Sequence, residues 1–201
     1  ELEARAHDDD VLAAVADFYE RVEEKDKALK VLQRLAASGT GDPSHIIDLG
    51  DRYYQAGDKK KALETWARIK VVVQQRARAA ATLGEVYLDH DMPVEALAAL
   101  REAVQLEPHN VRFKKALATA LERTATSLGS PSLRYSEART LWEEMLAGAG
   151  PADKMLAREC RAHIVSLWAL TRELSSQVVP LASRFGATPP DLEAGRLLAE
   201  V

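Results

Sequence analysis

The sequence predicts an all-α fold, an array of stacked helix pairs (an α-solenoid). Three observations predict it. A leucine-glycine pair, Leu49-Gly50, returns 34 residues later as Leu83-Gly84, and the residues around it return in register. Apolar residues recur at helical spacing inside each period, and short turn signals separate them. The chain is 47% hydrophobic but only 5% aromatic, with many alanines, which suits closely packed helices. An array of this kind hides each apolar edge against the next unit.

The elements follow in order. With a unit opening at Pro43, the next opens at Ala77, a further one at Val111, and counting back gives Asp9. Each unit holds two helices. In the first, Ile46, Leu49, Gly50 and Tyr53 share one face and are matched by Ala80, Leu83, Gly84 and Tyr87. Leu12, Val15, Ala16 and Tyr19 fill these positions in the unit from Asp9. Ala16, Gly50 and Gly84 stand where a neighbouring helix must come close. Ala56-Gly57-Asp58 and Asp89-His90-Asp91-Met92-Pro93 are the turns, with Gly57 suited to a helix end and Pro93 to a start. The second helices carry Ala28 and Leu32, Ala62, Trp66 and Ile69, and Ala96, Leu100 and Ala103. Asp42-Pro43 reads as an N-cap followed by proline.

The fourth unit begins with Phe113, Leu117, Ala118 and Leu121. An insertion near 124–132, or an extension of both helices, then displaces its Ala138 and Trp142 by about eight residues. After Gly148-Ala149-Gly150-Pro151 the pattern predicts an apolar helix over Ala152–Leu174 and shorter ones over Val178–Phe185 and Pro190–Leu198. Thr188-Pro189-Pro190-Asp191 is a helix start, and Leu2–Ala6 reads as the tail of a preceding helix.

Composition bounds the function. The net charge of −4 over 201 residues does not point to a nucleic-acid partner. By unit the balance alternates: −3 over 9–42, +3 over 43–76, −4 over 77–110 and +2 over 111–201. Cys160, the single cysteine, has no partner for an intrachain disulfide. No apolar run reaches the roughly 20 residues of a membrane span. The chain opens Glu1-Leu2-Glu3, so it reads as a piece of a longer protein; a cytoplasmic location is the expectation.

The recurring residues resemble the tetratricopeptide repeat. Its Trp-x-x-Leu-Gly-x-x-Tyr, Ala-x-x-x-Phe and Pro signature reads here as Ile46, Leu49, Gly50, Tyr53, Ala62 and Trp66. It reads again as Ala80, Leu83, Gly84, Tyr87, Ala96, Leu100 and Pro108. Four repeats over 9–148 (9–42, 43–76, 77–110, and 111–148 with the insertion) are expected, with 1–8 a helix tail. Residues 149–201 would be a degenerate repeat plus C-terminal capping helices. The resemblance implies a right-handed superhelix whose first helices line a concave, partner-binding face. It implies a protein-interaction scaffold, without cofactor, and no enzyme.

The first helices also present a second face between the packing positions. It carries Ile47, Asp51 and Tyr54, then Ala81, Glu85 and Leu88, with Asp10, Ala13, Asp17 and Glu20 before them and Arg78, Arg112, Lys115 and Thr119 at matching places. Some members of the family hold a chaperone's C-terminal carboxylate with lysine, asparagine and arginine here. In this chain Ala13, Asp17 and Asp48 replace them and only Arg78 fits, which argues against that ligand. Asp17, Glu20, Asp48, Asp51 and Glu85 instead favour a basic or amphipathic protein segment, with Arg112 and Lys115 holding an acidic residue at its far end. The alternatives are a homo-oligomeric assembly role through the apolar helix around Ile164, Trp168 and Leu170, and a regulatory module of a larger enzyme.

Cys160 and His163, near Glu159, are too few ligands for zinc and fall at packing positions. The run His7-Asp8-Asp9-Asp10 is explained by helix capping and the helix dipole rather than by a metal. His45, His90 and His109 fall at turns or helix starts and suggest no common site. Phosphate-loop, Gly-x-Ser-x-Gly and His-Glu-x-x-His motifs are absent. Trp66, Trp142 and Trp168 lie in apolar stripes and read as core.

Overall fold

The computed structural model describes residues 9–37, 43–187 and 189–201, and every regular element among them is helical. The chain divides into two compact units, one ending at His90 and one beginning at Asp91.

The first unit contains α1 (Asp9–Arg21), α2 (Lys25–Ala37), α3 (Ser44–Gln55), α4 (Lys59–Ala67), α5 (Ile69–Val72) and α6 (Arg76–Asp89). α1 packs on α2, α2 on α3, α3 on α4, and α4 and α5 on α6. Three-residue turns reverse the chain within each pair. In the turn after α3, Gly57 takes a left-handed φ of +83°. Its N–H and that of Asp58 then close the helix on the carbonyls of Tyr54 and Tyr53, both at 2.9 Å. Asp58 also starts α4, accepting from the Lys61 backbone N–H at 3.1 Å.

The core takes in much of the predicted stripe and adds Val31 and Leu35, while Val15, Tyr19 and Tyr53 are half-buried. Leu12, Ala16, Val31, Leu32 and Leu35 meet between α1 and α2, and Ile46, Leu49, Ala62, Trp66 and Ile69 fill the next pair. The second helix of that pair breaks at Arg68 between α4 and α5. The Arg68 guanidinium reaches back and donates to the Ala36 carbonyl at 2.6 Å, satisfying an end carbonyl of α2.

The second unit contains α7 (Pro93–Leu106), α8 (Val111–Thr124), α9 (Pro131–Gly148), α10 (Lys154–Leu170), α11 (Leu174–Phe185) and α12 (Leu192–Glu200). Successive helices pack from α7 through α10, and α12 packs on both α10 and α11. Pro93 is the first residue of α7, and Asn110 caps α8 by accepting from the Arg112 and Phe113 N–H groups. The displacement in 111–148 has a plain origin. The turn before α9 runs over 125–130 instead of three residues, and Ala138 is eighth in its helix where Ala96 is fourth in its own. Ala138 and Trp142 are still fully buried.

One helix differs from expectation. The apolar run over Ala152–Leu174 does not form a single helix; α10 stops at Leu170. Arg172 turns the chain with a left-handed φ of 61°, and the Glu173 N–H closes the end on the Trp168 carbonyl at 2.8 Å. Leu174 then opens α11. Asp191 caps α12 through the Glu193 and Ala194 N–H groups. The expected helix tail at Leu2–Ala6, the residues His7 and Asp8, the Asp42 cap, Thr188 and the Asp10 side chain lie outside the described residues.

Candidate functional site

Helical spacing brings three side chains of α1 and three of α3 to one place. Ala13, Asp17 and Glu20 lie four and three residues apart, and His45, Asp48 and Arg52 three and four apart, so each trio forms a stripe. The stripes flank a cleft of about 300 Å³, against Ala16, Leu32 and Leu35 of the core. Asp17 and Asp48 are exposed, and no arginine or lysine pairs with either among the described residues. Glu20 is ion-paired with Arg52. The Asp48 carboxyl keeps solvent contact yet lies above the ordinary carboxylate range. Its partial burial is the main cause, and repulsion from Asp51 and Glu20 adds to it against the pull of His45 and Arg52.

The remaining sequence-predicted residues divide. Arg78 and Glu85 are exposed, while Ile47 and Leu88 are half-buried, all in the first unit. Arg112 is exposed in the second unit. Lys115, also there, is bonded to Glu159 at 2.7 Å, so its charge is already matched.

Asp51 and Tyr54 are partly exposed and also serve inside the fold. Both are half-buried parts of an aromatic cluster. The buried Trp66 indole N–H donates to the Asp51 carboxylate at 3.2 Å and to the Ile47 carbonyl at 3.3 Å. His90 Nε2 donates to the same Asp51 oxygen at 2.9 Å. Its ring stacks on Trp66 with centroids 4.5 Å apart, and the Tyr54 hydroxyl donates to the His90 carbonyl at 3.1 Å. The Asp51 carboxylate, one turn along from Ile47, is drawn inward because the indole N–H, buried with Trp66, needs an acceptor.

The same trio recurs in the second unit. Trp142 donates its indole N–H to Glu122 at 2.6 Å, and His163 stacks on that indole while holding the same carboxylate. His90 and His163 are therefore structural residues that sequence reasoning missed as partners of tryptophan. The signal present in the sequence was a tryptophan at the second-helix position with an acidic residue on the preceding helix.

Cys160 is fully buried, and burial, then the Glu159 charge, pushes its thiol up to about 11. It stays a thiol at neutral pH, in keeping with a packing role. His163 is not enclosed; its side chain is 32% exposed. Among the described residues no group of three or more His, Cys, Asp or Glu side chains is arranged to hold a metal ion. Among them also, no helix is long and apolar enough to cross a membrane.

No protein-family model and no curated protein sequence matches the chain. Solved structures do. A crystal structure of MamA is 15% identical over 84% of this chain and 85% of its own, with a TM-score of 0.50. Nearly identical TPR-like repeats assigned to a kinesin light chain of Podosopora anserina are 14% identical over 97% and 95%, with a TM-score of 0.51. At such identities the likeness is one of fold, and the fold is the all-α, tetratricopeptide-type helical repeat.

Proposed function

We propose that this chain is a protein-interaction module and that the α1–α3 cleft takes a basic residue of a partner segment. One observation carries the reading. Asp17 and Asp48 face a shared cleft without a cationic partner among the described residues, and the Asp48 carboxylate is held in an unfavourable surrounding. A guanidinium or ammonium arriving there relieves both the repulsion and the lost hydration. Of the predicted contacts, Asp17, Glu20 and Asp48 do the binding, and Arg78 and Glu85 lie on the exposed surface of the same unit. Asp51 and Tyr54 support them from the packed cluster. No bond is made or broken.

The test is a titration of the chain with a labelled amphipathic lysine-leucine peptide, read by fluorescence anisotropy, beside the same peptide with glutamate for lysine. Only the lysine peptide should bind, more weakly as salt rises. Asp17→Asn with Asp48→Asn should remove most of that affinity. Equal binding by the double variant overturns the reading.

A second reading, self-association, is favoured by apolar side chains left exposed on the second unit. Leu170, Val179, Phe185 and Leu192 remain exposed, Val179 by 75%. The sequence-based version named Ile164 and Trp168, but these are buried against their own unit, so only Leu170 of that trio is available. Sedimentation over a hundredfold concentration range, roughly from micromolar upward, should show a dimer that Val179→Asp abolishes; a monomer throughout rejects it.

A further inference from the structure

A second cleft, of about 370 Å³, adjoins the first and is lined by Glu20, Lys25, Asp26, Ala28, Leu29, Arg52, Gln55 and Ala56. The two share two lining residues, Glu20 and Arg52, and these are the residues that form the ion pair. The pair is therefore the partition. Its side chains are 29% and 42% exposed, and a pair so open to water is held weakly.

The two sides differ in charge. The first cleft adds Asp17 and Asp48 to Glu20, against His45 alone besides Arg52. The second adds Lys25 to Arg52, against Asp26, and offers Ala28, Leu29 and Ala56 as apolar floor. A cation entering the first cleft competes with Arg52 for Glu20. Arg52 is also tethered on the other side, where its Nη1 donates to Gln55 at 3.2 Å. Once Glu20 is taken, the guanidinium stays with Gln55 and presents an unmatched positive charge to the second cleft.

We infer that the Glu20–Arg52 ion pair is an exchangeable gate, and that the segment it recognises is a partner helix bearing a basic and an acidic residue one turn apart. This rests on the cleft reading above and specifies its partner. The basic residue replaces Arg52 on Glu20, and the acidic residue replaces Glu20 on Arg52. Residues four apart on a helix are about 5–6 Å from one another, which suits two clefts separated by one pair of side chains.

The experiment uses the full chain and a set of capped, helix-forming peptides that differ at two positions four apart: Lys and Glu in either order, Lys and Gln, and Gln and Glu. The better Lys/Glu order should bind about three- to fivefold tighter than Lys/Gln, the range of a partly exposed charge pair. Arg52→Gln should erase that advantage while tightening Lys/Gln binding, because Glu20 loses its competitor, and Arg52→Lys should keep part of the advantage. Circular dichroism checks that each variant is folded. Equal affinity for Lys/Glu and Lys/Gln in the unaltered chain overturns the gate and leaves the cleft reading standing. If no lysine peptide binds, the cleft reading itself fails.

Discussion

His163 lies flat on Trp142, with ring centroids 4.1 Å apart and planes only 11° from parallel. Both rings use one carboxylate: Glu122 accepts from the Trp142 indole N–H at 2.6 Å and from His163 Nδ1 at 3.0 Å. Glu122 therefore satisfies a buried donor and orients the histidine that covers the indole. Glu122→Ala leaves the indole N–H unsatisfied, and the expected cost is about 1–3 kcal/mol in urea denaturation. His163→Ala exposes one indole face without orphaning a donor, so a smaller loss of about 0.5–1.5 kcal/mol is expected. A costlier His163→Ala than Glu122→Ala contradicts this ordering.

Gly50 faces a similar indole. A Cβ built at Gly50 falls 2.2 Å from Trp66 Nε1, and Trp66 is fully buried and held by Asp51, Ile47 and His90. Alanine gains up to about 1 kcal/mol of helix propensity. Displacing a packed indole costs about 1–3 kcal/mol, so the clash should win. Gly50→Ala should lower the melting temperature and disturb tryptophan fluorescence. Gly148→Ala is the control, because nothing lies within 4 Å of its added carbon. Equal stability of the two variants refutes the close-approach account.

That glycine was legible in the sequence because packing repeats with the period. Ala16, Ala62, Ala96 and Ala138 are all buried, and the stripe of Ile46, Leu49 and Trp66 forms core as the spacing requires. The face between the packing positions was less legible. Helical periodicity says which side Asp51 and Tyr54 occupy, but not that a tryptophan 15 residues after Asp51 and a histidine 39 residues after it reach this carboxylate. Those contacts depend on side-chain direction and on a donor needing an acceptor, which a one-dimensional period does not encode. The end of α10 was missed for a related reason. Thr171-Arg172-Glu173 carries no glycine or proline, and a left-handed arginine stops the helix.

Asp48 should trade stability for binding. Its carboxyl lies above the ordinary range, first through burial and then through Asp51. The folded chain therefore binds this proton more tightly than the unfolded chain does. On linkage grounds the unfavourable contribution of Asp48 is full at neutral pH and fades as pH falls through the folded value. Asp48→Asn should raise the melting temperature at pH 7 modestly and lose its advantage toward pH 4. It should also weaken the lysine peptide. A variant less stable than the parent at pH 7 removes the electrostatic argument for the cleft.

Cys160 supplies the alkaline counterpart. Its buried thiol is raised from 9.0 to about 11, so the unfolded chain releases this proton first as pH rises. Stability should therefore fall between about pH 9 and 11, with a ceiling near 2–3 kcal/mol at 1.36 kcal/mol per unit. Cys160→Ala lacks the titrating group and should lose less over that interval, although it begins less stable because the fully buried side chain leaves a cavity. Native chain at pH 8 should resist iodoacetamide, and urea should expose one reactive thiol. Rapid alkylation of the folded chain, or parallel pH profiles for the two proteins, contradicts a thiol kept protonated by its place in the core of α10.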